Sequence, residues 1–280
     1  MTQATEGKAL KKLAELDREE GGLPLLLRFY RDLLQVQREA RRQVGTTLPA
    51  PAGLDAAGVR ERLRLGVPLL CFEDLDGYIE TLQPVFASVR EVFHAYPGLF
   101  GHLADGPADG HSLNAEMVKA WFEGKPMPPS ALNGASEATL RAMVQFTLKP
   151  LLAACAEALA PRIDPEQWRR RCCPVCGGAP DLAYLDTERG ARWLLCSRCD
   201  FNWLFHRLQC PHCGTEDQSA LAFFTDEKGL YRLHVCERCK CYLKTIDLRK
   251  TDNEVLLPLE RLLTADMDRQ ALEEGYRLPV

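Results

Sequence analysis

The chain has 280 residues, 46% of them hydrophobic, with 35 Lys plus Arg against 39 Asp plus Glu and 12 cysteines. That is enough apolar surface for one large core or two domains, while a formal net charge of −4 withholds the strongly basic footprint of a phosphate-backbone binder. No stretch reaches the roughly 18 uninterrupted apolar residues that span a bilayer, so no membrane insertion is expected.

The opening Met1–Lys8 has neither an apolar h-region nor a cleavage site, which predicts a cytoplasmic protein. Up to about residue 165 apolar residues recur at helical spacing, predicting an all-helical domain over 1–165. Leu10, Leu13 and Leu16 mark a first amphipathic helix, and a second runs from Pro24 through Leu33, Leu34 and Gln37 toward Arg42. A loop is expected from Gly45 to Gly53, then a short helix over Asp55 to Leu65 and a longer one over Leu75 to Tyr96, bent or interrupted at Pro84. Pro97-Gly98 breaks the pattern. Ser112 announces the next helix, which ends at Gly124, and Pro126, Pro128 and Pro129 make a rigid connector. Ser136 caps a helix to about Ala160 that contains Pro150, and Asp164-Pro165 starts a short helix carrying Trp168.

From here the composition changes. Four Cys-x-x-Cys pairs follow: Cys173/Cys176, Cys196/Cys199, Cys210/Cys213 and Cys236/Cys239. Two carry the small residues of a metal knuckle, Cys173-Pro-Val-Cys176-Gly-Gly and Cys210-Pro-His-Cys213-Gly, where glycine lets the backbone turn behind the second sulfur. The segment reads as a duplication, each half running knuckle, apolar strand, turn, apolar strand, knuckle. The strands are Leu182–Leu185 and Ala191–Leu195 around Thr187–Gly190, then Ala220–Phe224 and Leu230–Val235 around Asp226–Gly229. A hairpin brings its ends together. This assigns one metal to Cys173, Cys176, Cys196 and Cys199 and another to Cys210, Cys213, Cys236 and Cys239, since interleaved ligation needs longer crossings. Disulfides would need an oxidising compartment. Tetrahedral sulfur suits both zinc and iron, so two ions of either kind are expected. Modules over 166–208 and 209–250 follow, and then a helix and tail over 251–280, with Val255, Leu256, Leu259, Leu262 and Leu263 at helical intervals.

His206 and His212 flank the third knuckle, but eight cysteines already fill two tetrahedral sites. Cys172 and Cys241 read as spare thiols beside ligands, and Cys71 and Cys155 as small core residues. Trp203 and Arg207, at i and i+4, offer a cation–π pair or a contact surface. The run Arg169-Arg170-Arg171 raises a nucleic-acid reading, yet residues 166–250 hold 14 Lys plus Arg against 11 Asp plus Glu, too even a balance for phosphates. There is no Walker loop, dinucleotide fingerprint or nucleophile elbow, so an enzyme is not expected.

The stretch Arg171–Pro180, Leu195-Cys196-Ser-Arg-Cys199, Trp203 with Arg207, Cys210-Pro-His-Cys213-Gly and Val235–Cys239 leading into Cys241–Asp247 together resemble the FdhE-type formate dehydrogenase accessory proteins. The resemblance covers about residues 168–250, and Cys172 departs from it, since a non-cysteine residue commonly precedes the first knuckle. It implies a multidomain α plus small β protein: a helical N-terminal domain, two rubredoxin-like or zinc-ribbon metal modules and a C-terminal helix. It also implies a cytoplasmic assembly factor that contacts the formate dehydrogenase catalytic subunit, and leaves a homodimer open. Two other readings stand beside it: a rubredoxin-like electron carrier, and a zinc-ribbon nucleic-acid binder that the charge disfavours.

Overall fold

Eleven α-helices of four to twenty-three residues, four 3-10 turns of three residues and six short strands account for most of the described chain. The computed structural model describes residues 3–19, 21–44, 55–103, 112–132 and 134–278, so the loop expected from Gly45 to Gly53 lies outside the described residues. The chain divides into two compact units, one of Thr2–Ala52 with Leu70–Cys155, the other of Gly53–Leu69 with Ala156–Val280.

The first unit is helical. It contains α1 (Gln3–Glu19) and α2 (Leu25–Val44), and then, after α3 (Ala56–Leu65) of the other unit, α4 (Glu73–Asp76), α5 (Gln83–His94), α6 (Pro97–Phe100), α7 (Ala115–Glu123), α8 (Pro129–Leu132) and α9 (Glu137–Leu159) as far as Cys155. Leu13, Leu33, Leu34, Val89 and Phe93 are fully buried, as their spacing requires. Phe29 sits edge-on to Phe93 at 5.1 Å and to Tyr96 at 5.5 Å, with Phe100 and Phe146 completing the aromatic cluster. The helix expected over Leu75 to Tyr96 is divided: Pro84 lies in the first turn of α5, where its missing N–H costs nothing. Pro97-Gly98 opens the four-residue α6 instead of a plain break. The cap of α7 is Asn114, whose side chain accepts from the Met117 amide, and not Ser112.

Pro150 shows how one residue dictates a distant partner. It has no N–H, so the carbonyl of Phe146, four residues earlier in α9, loses its helical donor. Gln37 on α2, itself buried, donates its Nε2–H to that oxygen at 2.9 Å. By length and composition the span Glu137–Arg162 would also pass as a membrane helix, but 67% of its apolar window is buried inside the protein.

The second unit is built on one sheet. Its strands are β1 (Pro180–Leu185), β2 (Arg192–Cys196), β3 (Asn202–Phe205), β4 (Leu221–Thr225), β5 (Tyr231–Cys236) and β6 (Tyr242–Asp247), in the order β3-β2-β1-β6-β5-β4. Each predicted hairpin gains a third strand, β3 or β6, that follows its second knuckle. All pairs within a half are antiparallel, and the halves join where β1 and β6 run parallel, Leu182 opposite Lys244 through Leu185 opposite Asp247. The expected C-terminal helix is two, α10 (Leu257–Leu263) and α11 (Ala265–Glu273). Buried Lys244 on β6 donates to the carbonyls of Arg261 and Thr264 and to Asp268 Oδ2 at 2.6 Å, so a cation caps α10 where the chain turns.

The pairing around Pro150 yields a test. Gln37→Leu leaves the Phe146 carbonyl buried without a donor and is expected to cost about 1–3 kcal/mol in urea unfolding. Adding Pro150→Ala restores the helical N–H, so the double variant should recover most of that loss.

Candidate metal centres

Four copies of one backbone turn position the eight sulfurs. In each knuckle the amide one residue beyond the second cysteine donates to the carbonyl of the first: Gly177 to Cys173 at 3.0 Å, Asp200 to Cys196 at 3.3 Å, Gly214 to Cys210 at 3.0 Å and Lys240 to Cys236 at 2.8 Å. In each, the first cysteine's amide donates five residues ahead, to Gly178, Phe201, Thr215 and Cys241. The turn needs a left-handed residue, and it has one every time: φ is 70° at Gly177, 58° at Asp200, 79° at Gly214 and 54° at Lys240. Only the first knuckle of each half uses glycine, so the other two carry a strain of about 1–2 kcal/mol each.

The turns gather the sulfurs as the hairpins predicted. Cys173, Cys176, Cys196 and Cys199 form one set and Cys210, Cys213, Cys236 and Cys239 the other, all Sγ atoms of a set within 4.8 Å of one another. The Sγ···Sγ separations include 3.6 Å for Cys173–Cys199, 3.4 Å for Cys176–Cys196, 3.8 Å for Cys210–Cys239 and 3.7 Å for Cys213–Cys236. A disulfide is about 2.05 Å, whereas sulfurs 2.3 Å from a central ion form a tetrahedron with edges of about 3.8 Å. The donor set therefore fits a tetrahedral ion, and each set could hold one.

Burial is the first influence on the protonation of these thiols. It pushes Cys173 and Cys199 well up, raises Cys210 to about 11, and raises Cys239. At Cys196 burial acts upward too, but hydrogen bonds from Cys173, Cys176 and Cys199 outweigh it and bring this thiol well down; Cys213 is lowered likewise. Amides help: Arg198 N–H points to Cys196 Sγ and His212 N–H to Cys210 Sγ, both at 3.4 Å. The first set is wholly buried, while Cys213 and Cys239 of the second are half-buried.

The neighbours settle the remaining residues. His212 donates Nε2–H to the Tyr242 carbonyl at 3.1 Å and His206 is exposed, so neither joins a sulfur set. Cys172 and Cys241 also stay outside; the carbonyl of Cys172 accepts from Trp168 Nε1, and Cys241 Sγ faces the Cys239 carbonyl. Cys71 Sγ bonds Asp74, and Cys155 is buried. Trp203 is on a strand, where i and i+4 do not share a helical face. It buries its ring and donates to the Arg170 carbonyl at 2.8 Å rather than stacking on Arg207. The arginine run is engaged internally: Arg169 pairs with Glu166, Arg170 lies over the Trp168 ring, and Arg171 donates to the His212 carbonyl.

Arg261 of α10 was not legible from the motifs. It pairs with Asp181 and Asp200 and donates to the Cys196 carbonyl at 2.6 Å, so it holds the first set's second knuckle from behind. The signal was the acid at position 200, where the other half carries Lys240. A wedge also bears on this set: a Cβ at Gly178 would lie 2.9 Å from Cys196 Sγ.

A helical unit followed by a duplicated sheet with four knuckles and two four-sulfur sets defines a double thiolate-knuckle scaffold protein. The family described as "FdhE, central domain" matches residues 172–207, the first half of that sheet. The "Protein FdhE homolog" of Aquifex aeolicus is 30% identical over 229 residues, 80% of this chain and 76% of that protein. That of Stutzerimonas stutzeri is 28% identical over 256 residues, 88% and 80% of the two chains. The fold agrees with the crystal structure of the FdhE protein from Pseudomonas aeruginosa at a TM-score of 0.62 and 21% identity, covering 99% of this chain and 92% of that one. The chain belongs to the FdhE family.

Three outcomes follow from the site. Protein purified without oxygen should carry one ion per sulfur set by elemental analysis. Ligation holds the thiols as thiolates, below their free value of about 8.5. The stability this adds is present above that value and lost as pH falls through the lower bound-state value, so acidification should release the ions. Gly178→Ala should empty the first set while leaving the second loaded, halving the metal content.

Proposed function

We propose that this chain is a cytoplasmic accessory protein that binds the catalytic subunit of a formate dehydrogenase during its assembly and does not itself turn over a small substrate. Its scaffold is two metal ions, iron or zinc, one on Cys173, Cys176, Cys196 and Cys199 and one on Cys210, Cys213, Cys236 and Cys239. The observation that carries this reading is a pair of four-sulfur sets, each complete, in a member of the FdhE family. A tetrahedral ion with four thiolates supplies rigidity and, if it is iron, a one-electron couple, but no open position for a substrate. What this chain's own residues then offer is surface. The resemblance of residues 168–250 to formate dehydrogenase accessory proteins supplies the partner.

Electron transfer is the second reading, and the half-buried Cys213 and Cys239 favour it, because they bring one centre close to whatever docks there. The nucleic-acid reading loses its main support, since the three consecutive arginines are occupied within the protein.

Deleting the gene in its host and assaying formate oxidation, with the amount and location of the catalytic subunit, tests the assembly role. Activity should fall, return with the wild-type gene and not return with Cys210→Ser. Normal activity in a deletion strain without a second copy would refute the role. The visible spectrum of anaerobically purified protein distinguishes iron from zinc.

A further inference from the structure

A cavity of about 200 Å³ opens beside the second sulfur set, with walls from both halves of the sheet. Leu185, Leu208, Leu221, Val235 and Leu243 make it largely apolar, yet Arg192, Arg207, Arg232 and His234 also face it and no Asp or Glu does.

The polar groups on this wall are donors in search of an acceptor. Arg192 is buried; its two terminal nitrogens reach the carbonyls of His206 and Gln209 and the Nδ1 of His234, but its Nε–H has no partner. Arg232 pairs with Asp247 through Nη2, and its Nε–H is likewise unmatched. A guanidinium can only donate, so His234 Nδ1 must accept from Arg192. The ring proton is therefore on Nε2, and that buried donor also lacks a partner. Three orphaned N–H groups on residues that line this wall, each shielded from solvent in the free chain, are costly unless something with acceptor oxygens draws them out. Arg207 adds an exposed charge at the same wall and makes no hydrogen bond or ion pair among the described residues. It lies near enough to Arg192 that its charge joins burial in lowering that guanidinium to about 10.

We propose that this cavity binds an organic carboxylate, the carboxylate oxygens taking the donors of Arg192, Arg207, Arg232 and His234 and an apolar body filling the leucine-lined remainder. The volume exceeds the roughly 150 Å³ that accommodates benzene, so a ring-sized body fits. The apolar wall selects against inorganic phosphate, which would leave it bare. The carboxylate belongs either to a free small molecule or to a peptide. Phe223 stands half-exposed at the wall, tilted against His234 at 5.3 Å with the Arg232 guanidinium over its ring, and offers a peptide a surface outside the cavity. The second sulfur set shares the wall through Cys210 and Cys236, so the ligand would sit against that centre.

Titration calorimetry on the full metal-loaded chain tests this with four probes: benzoate, its neutral counterpart benzyl alcohol, a short peptide with a free C-terminal carboxylate, and the same peptide amidated. Benzoate or the free-acid peptide should bind and the neutral probes should not. Benzoate alone identifies a small-molecule site, and binding of the free-acid peptide identifies a chain terminus as the source. Arg207 holds nothing in the fold, so Arg207→Gln should keep its metal content and weaken binding about ten-fold or more, with Arg207→Lys intermediate. Absence of binding by both carboxylates, equal binding of the neutral probes, or an unchanged affinity in Arg207→Gln overturns the proposal. So does lower metal content in Arg207→Gln with no carboxylate binding in the wild type, since the guanidiniums then serve as counter-charge to the thiolates.

Discussion

Closure of four sulfurs at the base of each half-sheet is the constraint on which the second unit depends. The strands are four to six residues long, and three strands of that length bury too little apolar surface to hold their own ends together. The knuckles bring the sulfurs into contact, but burial pushes Cys173, Cys199, Cys210 and Cys239 toward the protonated thiol. A cation held by each set would turn that arrangement into ligation, which in small structural zinc domains supplies on the order of 10 kcal/mol. Each closure spans a short stretch, from residue 173 to 199 and from 210 to 239, whereas the joining pair of β1 with β6 brings together residues as distant as 182 and 244. Short loops close at lower entropic cost, so each sulfur closure costs less than the seam between the halves.

The parts of this organisation that a local pattern encodes were readable in the chain. Cys-x-x-Cys spacing located all eight sulfurs, and the turns at Gly190 and Gly229 joined the strands that bring each set together. Helical period located most of the first unit. The third strands were missed because Asn202–Phe205 and Tyr242–Asp247 are short or wholly buried, and a buried strand has no alternation to read. Asn114 displaced Ser112 as a cap because either type suits the position and only the backbone decides. The single predicted C-terminal helix broke at Thr264 because Lys244, twenty residues earlier, donates to the carbonyls there. No periodicity in that stretch could announce it.

Long-range polar contacts of this kind tie the tail of the chain to the sulfur sites. Arg261 grips the turn behind Cys196, and Asp268 takes both Lys244 and the Tyr242 hydroxyl. Over the same sheet, Leu233, Val235, Tyr242 and Ala271 form one apolar cluster with Met267 and Tyr276, and Leu182, Leu195 and Ile246 another with Val255 and Leu257. The helices α10 and α11 thus cover one face of the sheet, and Arg261 of α10 pins the Cys196–Cys199 knuckle from outside, which links that sulfur site to a residue 65 positions downstream of Cys196.

The seam between the halves has a further consequence. By position in the duplication, β1 corresponds to β4 and β3 to β6, so the pair that meets at the centre, β1 with β6, joins unlike strands of the two copies. The joint is head-to-tail, and the outer strands β3 and β4 are the counterparts of the two that meet inside. An arrangement of that kind does not close on itself; it could accept another copy at either end and is stopped only by what covers the ends. At β3 the turn Pro165–Gln167 packs on the strand, and Trp203 is bonded to Arg170. At β4 no strand pairs with the outer edge among the described residues, and Phe223 and Phe224 stand 51% and 57% exposed. The duplication is therefore terminated by the chain at one side and left extensible at the other.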